Sequence, residues 1–203
     1  MPRIVDHEEK RKVIAETAWR IIEKEGVEKA SIRRIASEAG MSAGALRYYF
    51  STQDELLLFL IEYYLDKGKE RTDQIPWSKD SLQAVKEILL ELVPVSQDKR
   101  TETGIWLVFA VRSLTSAALH AKKDQLTEGE FILMEAVLEM LIKAGYVNKN
   151  INIEIEKLRL SAIIEGLSIH ALLRPDIFTK EKTEQIITHH IHELCHAGVG
   201  NRG

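Results

Sequence analysis

The spacing of the apolar residues is the feature that most constrains how this chain can fold. Apolar side chains recur at intervals of three and four along nearly the whole sequence. This spacing places them on one face of an α-helix, whereas a half-buried strand needs alternation at intervals of two. The four prolines and most of the glycines fall between the periodic segments. The pattern therefore predicts an all-α protein.

Nine helices are predicted from the periodic segments and the breaks between them. We place them at residues 7–25, 31–39, 42–49, 53–72, 79–93, 98–115, 117–144, 153–173 and 179–197. Ser31 is a favourable N-cap for the second helix, and Gly40 ends that helix. Because short helices give way to long ones near residue 50, we expect an N-terminal domain at 1–51 and a C-terminal domain at 52–203.

The composition is that of an ordinary soluble globular protein, with 45% hydrophobic and 29% charged residues. The charged N-terminus is not followed by an apolar signal segment, and the longest apolar run is far too short to span a bilayer. The single cysteine, Cys195, excludes an internal disulfide and agrees with a reducing compartment. We therefore expect the protein in the cytoplasm.

Positive charge is concentrated at the N-terminal end. Residues 1–53 contain ten Lys and Arg against eight Asp and Glu, a balance of +2 in a chain whose net charge is -3. A basic excess of this kind is found on proteins that bind nucleic acid, and it is also found on ordinary solvated surfaces.

Two short helices joined by a tight turn lie at residues 31–50, which read SIRRIASEAGMSAGALRYYF. This is the spacing of a helix-turn-helix, in which the second helix enters the major groove of DNA. An ordinary helical hairpin is the alternative. The apolar residues predicted to form its small core are Ile35, Ala36, Ala39, Leu46 and Phe50.

The remaining side chains of this segment suit contact with DNA. Ala43 and Gly44 allow close approach of the backbone, and Ser42 can cap the recognition helix and donate to a phosphate. Arg47 can bind a guanine edge or a phosphate. The predicted DNA-contacting residues are Ser31, Arg33, Arg34, Ser42, Ala43, Gly44, Ala45, Arg47, Tyr48 and Tyr49. The basic residues Arg3, Lys10, Arg11 and Lys12 are further candidates for phosphate or minor-groove contact.

The stretch IRRIASEAGMSAGALRYYFSTQDELL resembles the DNA-binding signature of the TetR family of bacterial repressors. Arg47 stands where that signature usually has Tyr, and Gln53 stands where it usually has Lys. The stretch ETGIWLVFAVRSL, which begins at Glu102, is similar to the subgroup of the choline-responsive betaine-pathway repressor.

The resemblance implies a ligand-responsive transcriptional regulator and not an enzyme, with no cofactor and no catalytic residues. It implies a double-stranded DNA operator of palindromic form, a small-molecule effector bound by the C-terminal domain, and a homodimer formed through the last two helices. Effector binding would release a repressor from its operator. A protein-interaction or activator module that does not repress is the alternative.

Candidate effector and interface residues lie in the C-terminal helices. An aromatic pair with an arginine one turn away is one candidate pocket wall, and plain core packing is the alternative for it. Polar residues in the apolar run SAIIEGLSIHALL can orient a ligand or cross a dimer interface. The candidate ligand-binding residues are Trp106, Phe109, Arg112, Glu165 and His170. The candidate interface residues are Ile163, Gly166, Leu167, His170, Ile187, Ile191 and Leu194.

The sequence HELCH at residues 192–196 matches the zinc-protease pattern H-E-x-x-H. His192 and His196 lie one helical turn apart, but only seven residues follow His196 in this chain, and none of them is a metal ligand of the usual kind. The surrounding apolar spacing indicates an amphipathic helix. We therefore interpret HELCH as part of a His-rich interface helix and predict no metal site.

Overall fold

The computed structural model describes residues 7–75 and 81–197, except for the side chains of residues 196 and 197. Within these ranges the chain forms nine α-helices, as the apolar spacing predicts. The helices are α1 (His7–Glu25), α2 (Ile32–Glu38), α3 (Ala43–Tyr49), α4 (Gln53–Asp73), α5 (Ser81–Glu91), α6 (Gln97–Ser113), α7 (Ala117–Lys143), α8 (Ile153–Leu173) and α9 (Lys180–Ala197). None of them is both long enough and apolar enough to cross a membrane.

Local sequence signals fix most of the helix ends. Side-chain oxygens accept a hydrogen bond from a backbone N–H in the first turn at Ser31, Ser42, Thr52, Ser96 and Asn152. Gly40 has φ of 67°, a left-handed conformation that favours glycine, and the Met41 N–H donates to the Ala36 carbonyl at 2.9 Å. The turn between α2 and α3 is therefore closed by the backbone itself. A 3₁₀ turn at Val27–Lys29 was not predicted, because three residues carry no readable period.

The first hydrophobic core joins the N-terminal helices to part of the C-terminal half. Its buried side chains come from α1, α2, α3, the first half of α4, α6 and the start of α7. Leu56, Leu57, Leu60 and Ile61 of α4 lie in this core and are at most 6% exposed. The predicted division at residue 51 is therefore crossed by continuous apolar packing, so α4 is part of both halves.

The second core lies among α5, α7, α8 and α9. It is closed at one end by polar contacts between α6 and α8. The guanidinium of Arg100 donates to the carbonyls of Ala171 and Leu172 at 2.9 and 3.1 Å, near the C-terminus of α8. These carbonyls have no partner within the helix, so Arg100 satisfies them and fixes α6 against α8.

A network of ion pairs connects the C-terminal end of α4 to α5 and α6. Arg71 donates two hydrogen bonds to Glu102, at 3.0 and 2.8 Å, and one to Glu91 at 2.7 Å. Lys99 also donates to Glu91, at 2.9 Å. Burial raises the pKa of Glu102, and the Arg71 guanidinium opposes that rise. Arg71 thus keeps a mostly buried carboxylate paired.

Replacing Arg71 with Met should destabilise the protein by about 3 kcal/mol at pH 7, because it leaves the buried Glu102 carboxylate without a partner. Without Arg71 the pKa of Glu102 rises further above its unfolded value. The folded variant then takes up a proton as the pH falls, so its deficit relative to the wild type should shrink from pH 7 to pH 5. Urea unfolding at both pH values measures this.

The matched control is Lys143→Met, which removes an exposed pair with Glu139 and should change stability by less than about 0.5 kcal/mol. Adding Glu102→Gln to the Arg71 variant should restore part of the lost stability. Equal losses in the Arg71 and Lys143 variants would show that the network does not hold α4 in place.

Candidate nucleic-acid interface

The two short helices of the predicted helix-turn-helix are held by capped ends and a buried inner face. Ser31 Oγ accepts from the Arg34 N–H at 3.3 Å, and Ser42 Oγ accepts from the Ala45 N–H at 3.0 Å. Leu46 and Phe50 are fully buried in the first core. Because these two residues fix the inner side of α3, its other side faces outward. Ile35 and Ala36 of the predicted small core are buried as well, whereas Ala39 is half-buried.

Most of the predicted DNA-contacting residues share this outward side. Arg47 is exposed, and Tyr48 is 77% exposed, which is unusual for an aromatic side chain without a partner molecule. The exposed members of the predicted set are Ser31, Arg33, Ser42, Gly44, Ala45, Arg47 and Tyr48. The half-buried members are Arg34, Ala43 and Tyr49.

Arg34 is engaged within the chain. Its guanidinium donates to Glu25 at the end of α1 and to Glu38 at the end of α2, both at 2.7 Å. The hydrogen bond from Arg34 lowers the pKa of Glu25. A guanidinium held by two carboxylates offers little net charge to a phosphate, so we assign Arg34 to holding α1 against α2. Among the described residues Arg33 and Arg47 form no salt bridge, so their charge faces solvent.

Gly44 has a normal helical backbone, and nothing in the chain requires its small size. A Cβ built there would meet only Ser42 Oγ at 3.8 Å, an ordinary contact. A glycine inside a helix costs stability relative to alanine. The absence of a side chain at Gly44 therefore suits a molecule outside the chain that approaches the α3 backbone closely.

Gln53, which stands where the resembled signature has Lys, is directed into the protein. Its side-chain amide donates to the Ala30 carbonyl at 3.1 Å. The next residue, Asp54, forms an ion pair with Arg112 of α6. Sequence reasoning missed both contacts, because the partners lie 23 and 58 positions away and no local pattern connects them. Together they fix the first turn of α4 to the connection before α2 on one side and to α6 on the other.

The predicted ligand-binding residues do not converge on one pocket. Phe109 is fully buried in the first core, and the half-buried Trp106 packs against it with 5.5 Å between ring centroids. Arg112 is engaged by Asp54. For Phe109 the prediction of a pocket wall does not fit its placement, and the core-packing alternative does. Glu165 and His170 are exposed, and His170 stacks on Phe178 at 5.1 Å.

The predicted interface residues divide into inward and outward positions. Ile187, Ile191 and Leu194 are at most 3% exposed within their own chain, so their side chains are already covered by the second core. Leu167 is buried there too, while Ile163 and Gly166 are half-buried. These inward residues shape α8 and α9, and the side chains available to a partner lie on the other side of α8.

The HELCH segment lies at the end of α9. His189 and His192 are exposed along a shallow surface groove between α9 and Lys86 of α5. The side chain of His196 lies outside the described residues. Within the described residues, three or more metal-ligating side chains are nowhere close enough together to hold an ion. Arg3 also lies outside the described residues.

Two family profiles match the chain, and they divide it in the same order as its helices. The family described as bacterial regulatory proteins, tetR family, matches residues 14–60. The family described as the C-terminal domain of BetI-type transcriptional repressors matches residues 81–196. The first match contains α2, the turn and α3.

Individual relatives cover nearly the whole chain. The HTH-type transcriptional regulator PksA of Bacillus subtilis is 39% identical over 199 residues, which are 96% of this chain and 94% of that protein. A transcriptional regulator from Rhodococcus sp. has a similar structure, with 25% identity, a TM-score of 0.79 and coverage of 92% of this chain and 96% of that one. A regulator from Saccharomonospora viridis, solved in complex with choline, is 23% identical with a TM-score of 0.81, and the match covers 91% of this chain and 96% of that one.

Gly44→Ala separates fold from function at this interface. The variant should be as stable as the wild type or more stable by about 0.5 kcal/mol, because alanine favours the helix and meets no clash. Its affinity for operator DNA should fall by tenfold or more, about 1.4 kcal/mol, because the added methyl group keeps the backbone from the duplex.

Thermal unfolding and fluorescence anisotropy on a labelled duplex measure the two effects of Gly44→Ala. Gly129→Ala is the control, since Gly129 lies on α7 and an added Cβ there meets nothing within 4 Å. It should share any gain in stability and leave DNA affinity unchanged. Unaltered affinity in the Gly44 variant would contradict close approach at this position.

Proposed function

Since this chain belongs to the TetR family of bacterial regulatory proteins, we propose that it is a repressor that a small molecule releases from its operator. The family confirms the resemblance read from the sequence and the all-α fold. It also confirms that the chain is a helix-turn-helix transcriptional regulator and not an enzyme. The finer points, which are repression, the effector and the homodimer, form the proposal.

The observation that carries the proposal is the position of α4. Only three residues separate this helix from the end of the recognition helix α3, and its first half is buried in the core that also holds α1 and α6. Gln53 ties the first turn to Ala30 in the connection before α2, and Asp54 ties it to Arg112 of α6. A displacement of α6 is therefore transmitted to the base of α3 through rigid packing.

A cavity beside this joint allows the movement. It has a volume of about 200 Å³ and lies between the N-terminal helices, α4 and α6, with Ala30, Gln53, Leu60 and Arg112 among its lining residues. The effector shifts the equilibrium only by binding one arrangement more tightly than the other. The coupling is reciprocal, so operator DNA weakens effector binding by the same factor.

We place the effector among α4, α6, α7 and α8, where ionisable side chains are buried. Ser161 of α8 donates to the Glu130 carboxylate at 2.6 Å, and burial raises the pKa of Glu130. Burial raises the pKa of Tyr64 on α4, and the nearby carboxylates of Glu102 and Glu130 raise it further. Glu102 is paired with Arg71, but among the described residues Glu130 forms no salt bridge.

A half-buried carboxylate close to the ring of Tyr64 favours a cationic effector. A positively charged ligand would give the Glu130 carboxylate the salt-bridge partner that it lacks among the described residues. The rings of Tyr64 and Trp106, which both pack against the first core, would add cation–π attraction. The choline bound by the structural relative from Saccharomonospora viridis is an organic cation and supports this class. We therefore propose an organic cation as the effector.

The homodimer is supported by an apolar stripe on the outer side of α8. Its members lie three, four, seven and four positions apart on one side of the helix and are exposed among the described residues: Ile155, Leu158, Ala162, Ile169 and Leu173. Leu173 is 62% exposed and Ile155 is 57% exposed. A stripe on one helix suits a second copy related by a two-fold axis, which brings the same face from both chains together. Such a dimer presents two recognition helices about 34–36 Å apart, so the operator is a near-palindrome.

Fluorescence anisotropy on DNA from upstream of the protein's own gene tests repressor-type binding and release. We expect specific binding with Kd of about 10⁻⁸ M or tighter, a steep fall with salt, and loss in Tyr48→Ala. Choline, used as the probe cation, should weaken the binding. Its neutral carbon isostere 3,3-dimethyl-1-butanol should not, because it has the same shape and no charge.

Glu130→Gln is the variant that isolates the effector site, since it removes the charge and keeps the hydrogen bond to Ser161 within reach. It should bind DNA like the wild type and no longer respond to choline. Operator recognition would be contradicted if the protein binds scrambled and upstream DNA equally well and if selection from a pool of random DNA sequences also yields no preferred sequence. An equal response to choline and its neutral isostere would contradict only the cationic effector.

The double variant Leu158→Glu, Ile169→Glu should separate the dimer into folded monomers, because it places four carboxylates in the shared interface of two chains. Sedimentation velocity measures the mass, and circular dichroism checks that the helices remain. Leu65→Glu is the control, since Leu65 is a 37% exposed apolar residue of α4 outside the stripe. A dimer that survives the double change would refute this interface.

A further inference from the structure

Three aromatic rings meet where the N-terminus of α1 reaches the recognition helix. The imidazole of His7, the first residue of α1, lies 4.9 Å from the ring of Tyr49 and 5.7 Å from the ring of Tyr48. The two tyrosine rings are 5.3 Å apart and nearly perpendicular. Sequence analysis gave no sign of this cluster, since His7 precedes Tyr48 by 41 positions and belongs to another helix.

The cluster connects the protein core to the outer face of α3. Tyr49 packs partly against the first core, and Tyr48 is largely exposed. The His7 side chain contacts both rings and remains 46% exposed. It therefore restricts the orientation of Tyr48 from one side. The exposed part of the His7 ring lies beside the recognition helix.

The side chains of Arg11 and His7, which lie one turn apart on α1, point in different directions. The guanidinium of Arg11, one turn after His7, lies over the rings of Phe50 and Phe59 at 4.9 and 4.5 Å, so it is directed toward the core. His7 is directed toward α3 instead. An imidazole gains a positive charge as the pH falls through the range 5 to 8, and a charged imidazole is a good donor to phosphate.

We propose that His7 is a DNA-contacting residue, which packs against Tyr48 and Tyr49 and whose protonated ring binds a backbone phosphate beside the recognition helix. This proposal rests on the DNA binding of the α2–α3 unit and adds a contact from α1. Because only the protonated ring carries charge, DNA affinity increases as the pH falls from 8 to 5.5.

The ionisable groups around His7 are one carboxylate and two phenols. Glu8 lies on the same helix with a carboxylate oxygen 3.9 Å from His7 Nδ1, and the groups that face His7 from α3 are the hydroxyls of Tyr48 and Tyr49. Carboxylates and phenols in model peptides titrate well below and well above the range 5.5 to 8. A change in DNA affinity within it is therefore attributable to histidine.

The test compares wild type with His7→Phe and His7→Ala by fluorescence anisotropy at pH 5.5 and pH 8, each over a salt series. In the wild type, the slope of log affinity against log salt should be steeper by about 1 at pH 5.5 than at pH 8, the effect of one added phosphate contact. His7→Phe keeps the ring and loses the proton, so its slope should be the same at both pH values. His7→Ala should bind more weakly at both, because Tyr48 loses its neighbour.

His189→Phe is the matched control, because His189 is an exposed histidine on α9, far along the chain from α3 and outside the first core. It should keep the wild-type difference between the two pH values. A phosphate contact is independent of base sequence, so a scrambled duplex should show the same change in slope as the operator. That arm separates a failure of operator recognition from a failure of this proposal. A His7→Phe protein with the wild-type pH and salt dependence overturns it.

Discussion

The burial of α4 in the first core is the constraint on which the rest of the structure depends. Its apolar residues Leu56 to Ile61 pack with α1 on one side and with α6 on the other. Burial of several large side chains contributes on the order of 10 kcal/mol before the cost of ordering them. The helix therefore cannot move relative to one half without disturbing the other, and the base of the recognition helix follows it.

Polar contacts define where α4 is held, while the apolar core provides the stability. Near its start Gln53 contacts the connection before α2, and Asp54 contacts α6. Near its end Arg71 holds Glu91 and Glu102. Separating a buried ion pair costs free energy, because it leaves a buried charge without a partner. Discrete pairs of this kind favour two distinct arrangements over a continuous range, and the proposed control by an effector requires two such arrangements.

The surface proposed to face DNA combines residues with two different roles. Leu46 and Phe50 hold α3 in the core, so that Arg47 and Tyr48 face outward. Arg34, expected at the DNA, instead connects the ends of α1 and α2. Its neighbour Arg33 is exposed. Adjacent arginines thus differ in function because consecutive positions on a helix point in different directions.

The sequence by itself determined the helices and the DNA-binding unit. The spacing of apolar residues, the capping residues and the glycine turn are local features of the sequence. The match to the DNA-binding signature over SIRRIASEAGMSAGALRYYF likewise requires only neighbouring positions. Tertiary structure alone decided which polar residues are paired and which faces stay open. Asp54 meets Arg112, His7 meets Tyr48, and Ile191 faces its own core because helices distant in sequence pack together there. An apolar spacing identifies a buried face, but it does not say which helix, or which chain, covers that face.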